Sequence, residues 1–476
     1  MAVHVLALDF GASNGRAVVG AFDGRKLRLT EVHRFPNGPV SIHQHLYWDL
    51  MYLYKQLLIG LKAAERYRVR AVGIDSWSQD FGILDRHGQV IGWPHHYRDP
   101  RTRNAPDLIR SRISEARLFD VTGKTLSPVS TLAQLAAMKE SGSTALEHGR
   151  TLLFMPNLLA YFLTGEMNCD VTLASASMLY DLAERRWSRE IMEAIGLPDL
   201  LPAVGEFGRV IGPVRDGIGA AAGVPVISVA QHDTLSAVLA VEAKRRPNSA
   251  FICSGTWSIV GTKADGDVLR APGLRGKFSL EPGFAPQELY VVRYMTGLWI
   301  LQECLRERLR EGEAPDYERL QAEAAHSRFA SVVDIGLPAF AEPGGMTDKV
   351  IAACRRSGQR PPETLGELYK CIADSLALQY AQTVEELAEA TGRPIHELHI
   401  VGGGSKDRYL CEATARAAGR KVVAGPHEAS VVGNILAQLM ALGEIRHLDE
   451  AAALMAESFP DEASARDSDP QGGKRP

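Results

Sequence analysis

The feature that most constrains the fold is a strand–turn–strand arrangement that occurs once in each half of the chain. In the first half, an apolar run at residues 3–8 ends in Asp9-Phe10-Gly11, and a second apolar run at residues 17–22 follows the turn. In the second half, residues 250–258 repeat strand, turn and strand around Gly255. Glycine in such a turn lets backbone amides approach a bound phosphate closely. The repeat predicts two related halves, each with a phosphate-binding turn.

The elements around the first turn follow the order of a layered α/β domain. Asp23-Gly24 separates apolar runs and predicts a hairpin, and a third strand at residues 26–31 would complete an antiparallel meander. Asp49 can cap a helix whose apolar residues fall on one face. A buried strand at residues 69–74 comes next and ends at Asp75. Strands, a helix and a returning strand predict helices packed on a sheet.

The second half predicts the same class of fold. Residues 365–391 are apolar at helical spacing, and Gly392 and Pro394 supply the stop. A strand at residues 398–401 then runs into Gly402-Gly403-Gly404. The three glycines after this strand predict a turn that is lined by backbone atoms.

We divide the chain into two domains and a tail. The first domain is predicted over residues 1–243 and the second over residues 244–455, because a polar stretch that contains proline separates them. Residues 456–476 have few apolar side chains, and we expect this tail to be disordered.

Charge and composition exclude several classes of partner. The chain has 53 Lys and Arg against 57 Asp and Glu, a net charge of −4, so no basic excess is available for nucleic acid or an anionic membrane. No apolar run approaches the roughly 20 residues of a membrane helix. The N-terminus has no Lys or Arg before Arg16, unlike a secretory signal. We expect a cytoplasmic protein.

The cysteines favour a reducing compartment. The chain has six, with no CxxC pair, which argues against a disulfide scaffold or a zinc site. Cys354 and Cys371 are close enough in sequence to pair, but buried thiols on helices are the favoured interpretation.

Three familiar motifs fail on inspection. Gly123-Lys124-Thr125 resembles the end of a P-loop, but Leu118 occupies the upstream glycine position. Gly402-Gly403-Gly404 lacks the third glycine of a dinucleotide fingerprint, because that position is Asp407. His43-Gln44-His45 has no neighbouring Cys or acidic residue to complete a zinc site.

The turns and a nearby carboxylate point to phosphate chemistry. Ser13 and Asn14 offer further donors beside the first turn, and Asp9 is placed to hold Mg²⁺ directly or through water. Gly402-Gly403-Gly404 would let bare backbone contact an adenosine. Each motif by itself also fits an ordinary tight turn. Their order across two similar halves favours a two-domain ATPase.

Asp233 is the candidate catalytic residue. In His232-Asp233-Thr234 it lies between a buried strand and a helix of small residues. A carboxylate there could take the proton of a sugar hydroxyl as that oxygen attacks the γ-phosphoryl group, a reaction that mainly needs positioning and electrostatic stabilisation. The alternative role is a helix N-cap, which is common for Asp.

At these residues the sequence resembles the FGGY family of carbohydrate kinases, over nearly the whole chain up to about residue 455. The stretches that carry the resemblance are 8–16, 31–38, 73–77, 97–99, 232–234, 254–258, 297–299 and 398–404.

The resemblance implies two similar actin-like (ribonuclease H-like) ATPase domains around a central nucleotide and substrate cleft. It implies ATP and Mg²⁺ as cofactors, Asp233 as general base and Asp9 as the metal-linked residue. The residues implied to bind nucleotide are Ala12, Ser13, Asn14, Gly15, Arg16, Thr256, Gln302 and Gly402. Those implied to bind sugar are Ser78, Asp80, His232, Asp233, Thr234 and Tyr294.

The implied reaction is phosphorylation of a ketose, with L-rhamnulose at O1 favoured and L-fuculose or a pentulose as the alternative. Ser78 and Gln79 depart from the expected pattern, which has Gly at 78, and Tyr294 stands where Asn is expected. Because a site built on hydroxyl hydrogen bonds rejects a mismatched epimer, these positions leave the sugar open.

Other classes of function have specific features against them. An actin-like assembly ATPase would not need the aromatic and charged group around Trp77, Trp93 and Tyr97. A sugar-binding regulator without activity would have lost Asp9 or Asp233. We expect a small-molecule sugar as the partner, and a monomer or homodimer.

Overall fold

Contacts within the chain divide it into two units. The computed structural model describes residues 2–242, 248–266, 268, 273–285, 288–310, 312–342 and 344–459. One unit takes its described residues from Met1–Lys244, Asp265–Tyr290 and Ser430–Ser458, and the second takes them from Arg245–Ala264, Val291–Ala429 and Phe459–Pro476.

The strands are, in chain order, β1 (Val3–Phe10), β2 (Asn14–Phe22), β3 (Leu27–Pro36), β4 (Pro39–Ile42), β5 (His45–Trp48), β6 (Val72–Ser76), β7 (Phe81–Leu84), β8 (Thr151–Phe154), β9 (Cys169–Asp170), β10 (Tyr180–Asp181), β11 (Arg186–Trp187), β12 (Val204–Gly205), β13 (Arg209–Pro213), β14 (Pro225–Ser228), β15 (Ser249–Ser254), β16 (Trp257–Asp265), β17 (Ser279–Pro282), β18 (Glu288–Thr296), β19 (Glu397–Val401) and β20 (Lys421–Ala424).

The α-helices are α1 (Leu50–Ala64), α2 (Ala105–Arg110), α3 (Glu115–Thr122), α4 (Thr131–Glu140), α5 (Thr144–His148), α6 (Met155–Thr164), α7 (Val171–Ala176), α8 (Arg189–Ile195), α9 (Asp233–Glu242), α10 (Trp299–Arg310), α11 (Tyr317–His326), α12 (Met346–Arg356), α13 (Leu365–Thr391), α14 (Arg408–Ala418), α15 (Ala429–Ala441) and α16 (Leu448–Ser458).

The first unit contains a mixed sheet with the strand order β13-β14-β6-β1-β2-β3. β1 pairs antiparallel with β2 and parallel with β6, and β2 pairs antiparallel with β3. Leu6, Leu8 and Phe10 on β1 are almost fully buried, as expected of a central strand. The predicted antiparallel meander and returning strand are confirmed, with β6 starting three residues later and ending two residues later than predicted.

Helix α1 covers this sheet. The Asp49 side chain accepts a hydrogen bond from the Tyr52 amide and caps the helix, as predicted. Its buried face, at Leu50, Leu53 and Leu57 among others, belongs to the core that contains β1. The apolar spacing in the sequence therefore packs a helix on the sheet.

A distant part of the chain completes the first unit. Residues Ser430–Ser458, which form most of α15 and all of α16, belong to it. Gln438 Nε2 donates to the Leu6 carbonyl at 3.0 Å. A Cβ at Gly433 would lie 1.7 Å from the Ser236 carbonyl oxygen, so the close approach of α15 to α9 requires glycine.

The second unit repeats the central topology. Its strands run in the order β18-β16-β15-β19-β20. β15 pairs antiparallel with β16 and parallel with β19, as β1 does with β2 and β6. The prediction of two related α/β halves is confirmed.

The predicted long helix of the second half is present as α13. The Thr364 side chain caps its start by accepting from the Glu367 amide, and Gly392 ends it with a φ of 64°. Cys354 on α12 and Cys371 on α13 are buried free thiols whose sulfur atoms lie 3.8 Å apart.

Two sequence predictions fall mainly outside the described residues. The predicted boundary at 243–244 lies within residues 243–247, and residues 460–476 of the predicted tail are also not described. The division into domains therefore stays a prediction. Within the described ranges, no helix is both long and apolar enough to cross a membrane.

Candidate active site

Three carboxylates meet at the carboxyl end of the first unit's sheet. Asp9 on β1 and Asp75 on β6 are direct neighbours in the parallel register. The chain after β14 reaches the same end, where the Ser76 amide donates to the Gln231 carbonyl at 2.9 Å. Asp233 then begins α9. The electrostatic influence of Asp9 extends to both Asp75 and Asp233.

Asp9 is held by a cation and a hydroxyl. Arg16 Nη2 and Nε lie 2.7 and 3.0 Å from its Oδ2, and Ser430 Oγ donates to the same oxygen at 2.6 Å. Burial raises the pKa of Asp9, but the Arg16 charge and the hydrogen bonds from Ser430 and Arg16 outweigh burial and lower it. Asp9 is therefore ionised at neutral pH.

The pKa of Asp75 is shifted in the opposite direction. It is fully buried, and Asn434 Nδ2 donates to its Oδ2 at 2.9 Å. Burial and the nearby charge of Asp9 raise its pKa well above the usual range. Sequence analysis placed Asp75 at a strand end but gave no signal that α15 would reach it.

Asp233 combines a fixed oxygen with a free one. Its Oδ1 accepts from the Thr234 amide at 2.6 Å and from Thr234 Oγ1 at 3.2 Å. Its Oδ2 accepts from none of the described residues, and 29% of the side chain is exposed. Burial, followed by the charge of Asp9, raises the pKa of Asp233 to about 6. The carboxylate is a stronger base than an ordinary aspartate.

His232 supports this segment as a neutral side chain. It is buried, and its Nε2 lies 3.8 Å from Asp233 Oδ1. Its backbone amide donates to Thr172 Oγ1 at 3.2 Å. Burial lowers the pKa of His232 to about 4, so it carries no charge at neutral pH.

The turn between β1 and β2 carries most of the predicted phosphate-binding residues. Ser13 and Asn14 are exposed at its tip. Asn37 fixes the turn, because its amide donates to the Ser13 carbonyl at 3.0 Å and its Nδ2 donates to the Gly11 carbonyl at 2.8 Å. Ala12 is partly exposed.

Two other residues predicted for the phosphates have structural contacts of their own. Gly15 is buried, and a Cβ there would lie 2.1 Å from Phe35 Cζ. Arg16 points to Asp9 and Ser430. The turn itself thus presents backbone and small polar groups.

Asp80, predicted to bind sugar, is fully buried at the end of the loop that follows β6. Its Oδ2 accepts from Trp48 Nε1 at 2.5 Å, Trp77 Nε1 at 2.9 Å and the Tyr97 amide at 3.1 Å. Its Oδ1 accepts from Gln134 Nε2 at 2.7 Å. Burial raises its pKa to about 6. In this conformation Asp80 positions side chains around it.

The residues around Asp80 form a buried aromatic cluster that sequence analysis found only in part. Trp48 lies 4.0 Å from Trp77 and 4.5 Å from His96 between ring centroids, and His96 stacks on Tyr97 at 4.3 Å. Ser78, also in this loop, is buried and accepts from Gln79 Nε2 at 3.1 Å. These rings are buried, and Trp48, Trp77 and Tyr97 belong to the core of the first unit, so they support the loop by packing.

The second unit brings its three predicted nucleotide residues to one end of its sheet. Thr256 lies in the β15–β16 turn, and its Oγ1 donates to Gln302 Oε1 at 3.3 Å. Gly402 follows β19, and a Cβ there would lie 2.9 Å from the Ser254 carbonyl oxygen. A Cβ on Gly404 would lie 2.1 Å from Ser254 Oγ.

Gly297 allows the start of α10 to lie close to the β15–β16 turn. The Gly297 amide donates to the Thr256 carbonyl at 3.1 Å, and a Cβ at Gly297 would lie 2.5 Å from the Gly255 carbonyl oxygen. Tyr294, predicted to bind sugar, lies on β18 and is 39% exposed. The other predicted sugar residues lie in the first unit.

The metal prediction rests on Asp9 alone. Among the described residues, no group of three or more His, Cys, Asp or Glu side chains is arranged to hold a metal ion. Mg²⁺ often takes only one or two carboxylates, with water and substrate phosphates completing its shell. An ionised Asp9 beside the β1–β2 turn fits such a site.

Comparison with known proteins decides the family. The model of the FGGY carbohydrate kinase N-terminal domain matches residues 4–240, and that of the C-terminal domain matches residues 250–442. The chain belongs to the FGGY family of carbohydrate kinases. It is therefore a sugar kinase that uses ATP, and the predicted family and enzyme class are confirmed. The alternatives of an assembly ATPase and an inactive regulator are not needed.

Curated members of this family are similar over almost the full chain. A rhamnulokinase of Bacteroides thetaiotaomicron is 36% identical over 97% of this chain and 95% of its own length. A rhamnulokinase of Pectobacterium atrosepticum is 35% identical over 96% of this chain and 92% of its own.

Solved structures of FGGY kinases share the fold. A xylulose kinase from Rhodospirillum rubrum has a TM-score of 0.75 at 17% identity, covering 97% of this chain and 93% of its own. Plasmodium falciparum glycerol kinase with ADP has a TM-score of 0.76 at 15% identity, covering 97% and 94%. The predicted actin-like ATPase fold class is confirmed.

Proposed function

We propose that this kinase transfers the γ-phosphoryl group of ATP to O1 of L-rhamnulose, which gives L-rhamnulose 1-phosphate and ADP. The rhamnulokinases with 35–36% identity support the choice of sugar. The observation that carries the chemistry is the Asp233 carboxylate, whose Oδ2 accepts from none of the described residues while Oδ1 is fixed by Thr234.

Asp233 acts as the general base. The sugar O1–H donates to the carboxylate, which takes its proton as O1 forms the bond to phosphorus and the bond to the ADP oxygen breaks. A pKa of about 6 leaves the carboxylate mostly ionised at pH 7 and brings it closer to the working pH than an ordinary aspartate. Neutral His232 adds no positive charge that would weaken this base.

We assign nucleotide contacts to residues of each unit. Ala12, Ser13 and Asn14 at the β1–β2 turn bind phosphate oxygens through backbone and hydroxyl groups, and Gly15 allows the turn. Arg16 keeps Asp9 ionised and adds positive charge near the phosphates. Thr256, Gln302 and Gly402 contact the remainder of the nucleotide.

Asp9 would hold Mg²⁺, directly or through water. The bound ion would neutralise charge that develops on the phosphates. The sugar is bound by the loop that contains Ser78 and Asp80, by His232 and Thr234, and by Tyr294. We place the enzyme in the cytoplasm as a monomer or homodimer.

The test is a panel of ketoses assayed for ADP release, with L-rhamnulose, L-fuculose, L-xylulose, D-xylulose and L-ribulose. We expect a kcat/KM at least about tenfold higher for L-rhamnulose, which is about 1.4 kcal/mol of discrimination. Asp233→Asn is expected to reduce kcat by about 10²–10⁴-fold and leave ADP and sugar binding nearly unchanged.

Asp199→Asn is the control, since it removes one exposed carboxylate outside the candidate site. A higher kcat/KM for another ketose would contradict the proposed sugar. Near-normal turnover by Asp233→Asn would contradict the assigned base.

A further inference from the structure

The guanidinium of Arg101 is largely buried in the first unit and has few partners. Its side chain is 14% exposed. Of its five N–H donors, one bonds to a described residue, from Nη2 to Gln134 Oε1 at 2.9 Å. Nε is buried without a hydrogen-bond partner among the described residues, and the Asp99 carboxylate oxygen lies 4.0 Å from it. Burial lowers the pKa of Arg101 to about 10, so the group stays charged.

The nearby acidic residue does not explain this arrangement. Asp99 Oδ2 accepts from the Leu46 amide at 2.6 Å, and Oδ1 accepts from the Arg101 backbone amide at 2.9 Å. His45 Nδ1 lies 3.2 Å from Oδ1. Asp99 therefore has its own donors and does not depend on the Arg101 guanidinium. A buried cation without good hydrogen bonds is costly and needs another acceptor.

Gln134 connects Arg101 to the loop of the candidate sugar site. Its Oε1 accepts from Arg101, and its Nε2 donates to Asp80 Oδ1 at 2.7 Å and to the Gln79 carbonyl at 3.2 Å. Gln134 is itself buried, so this connection is fixed by packing. The side-chain amide of Gln134 therefore links the Arg101 guanidinium to the backbone carbonyl of Gln79.

The side chain of Gln79 offers a further hydrogen-bond acceptor in this loop. Its Nε2 donates to Ser78 Oγ at 3.1 Å, while its Oε1 is buried without a hydrogen-bond partner among the described residues. An unmade hydrogen bond of this kind carries a desolvation cost that a ligand can remove. The loop therefore holds an unfilled acceptor on Gln79, whose backbone carbonyl shares the Gln134 side chain with the under-bonded cation.

We propose that Arg101 and Gln79 are specificity-determining residues that read adjacent oxygens of the sugar. Arg101 donates to one sugar oxygen, and Gln79 Oε1 accepts from a neighbouring hydroxyl, after a side-chain rotation that opens both groups to the ligand. The ligand class is a neutral ketose with vicinal oxygen atoms. This inference rests on the proposed function, because it deepens the substrate assignment of the same enzyme.

The test combines enzyme variants with deoxy sugars. Gln79→Met and Arg101→Lys are assayed on L-rhamnulose and on ketoses that lack one hydroxyl each at C3, C4 or C5. On L-rhamnulose we expect kcat/KM to fall about fivefold for Gln79→Met and about 30-fold for Arg101→Lys, since bonds to a charged donor are stronger. Each variant should equal the wild type on the one deoxy sugar that lacks its partner oxygen.

Exposed residues close in sequence provide matched controls. Gln89→Met and Arg103→Lys make the same changes at exposed positions and should keep the wild-type kcat/KM. Thermal unfolding and ADP binding are measured for each variant, and both should stay near the wild-type values for Gln79→Met.

An equal loss on every sugar would assign Arg101 and Gln79 a structural role and overturn the proposal, as would wild-type specificity in both variants. A preference of the wild type for a sugar acid over neutral ketoses would also overturn it. If the wild type prefers another ketose, the proposed sugar is wrong, and the deoxy series of that ketose then decides the roles of Arg101 and Gln79 separately.

Discussion

At the scale of single residues, the environment of Asp233 has a cost in stability. Burial, followed by the neighbouring charge of Asp9, raises its pKa to about 6, against an ordinary value of about 4. The folded state then binds this proton more tightly than the unfolded state does. The free energy of unfolding therefore falls as the pH rises from about 4 to 6, and the loss persists above that range.

Asp233→Asn should remove this loss. We expect the variant to be more stable than the wild type by about 1–3 kcal/mol at pH 8, from a pKa difference of about 2 units, and equally stable near pH 4. The measurement is urea unfolding of both proteins across this pH range. A difference in stability that does not change with pH would show that the surroundings of Asp233 do not raise its pKa.

At the scale of elements, glycines allow the turns of the second unit to meet. Ser254 Oγ lies 3.2 Å from the Tyr380 hydroxyl, whose oxygen is 2.5 Å from Ser258 Oγ. Gly404 passes so close that a Cβ would overlap Ser254 Oγ. The Ser254 side chain cannot move away without breaking its contact with buried Tyr380.

Gly404→Ala is therefore expected to lower the free energy of unfolding by about 1–3 kcal/mol, as overpacking does, and to weaken ADP binding. Gly403→Ala is the matched control for stability, because the nearest atom to its Cβ, the Ser254 carbonyl oxygen, would be 3.9 Å away. Thermal unfolding with and without ADP measures both effects. Equal behaviour of the two variants would contradict the close contact at Gly404.

At the scale of the whole molecule, α15 belongs to the first unit although the family model of the C-terminal domain includes it. Ser430 and Asn434 bond to Asp9 and Asp75, and Gln438 reaches the backbone of Leu6 in the central strand. The carboxylate arrangement therefore depends on residues from near the end of the chain.

A chain that ends at residue 429 should fail to unfold cooperatively and should have no kinase activity, because buried Asp75 and the Leu6 carbonyl lose their donors. A chain that ends at residue 459 keeps every described contact, and we expect it to behave as the full chain does. Calorimetry and the ADP-release assay compare the two. Activity in the shorter chain would show that α15 is dispensable.

Local patterns in the sequence were sufficient for the general plan of the molecule. Alternating apolar runs, glycine turns and helix caps are short-range signals, and they predicted the two related halves, the α1 cap at Asp49 and the extent of α13. The resemblance placed Asp233 as a candidate base. The departure of Gln79 from the family pattern was also visible, because recognising it requires only the order of residues along the chain.

Only the tertiary structure decided which side chains share an environment. Asn434 bonds to Asp75 across 359 positions of the chain, and no local pattern records such a pair. Asp80 was predicted to bind sugar, yet four donors from separate segments occupy its oxygens. The pKa of Asp233 and the under-bonded state of Arg101 depend on burial and on neighbours brought together by folding, so the sequence determined the chemistry available and the fold decided its use.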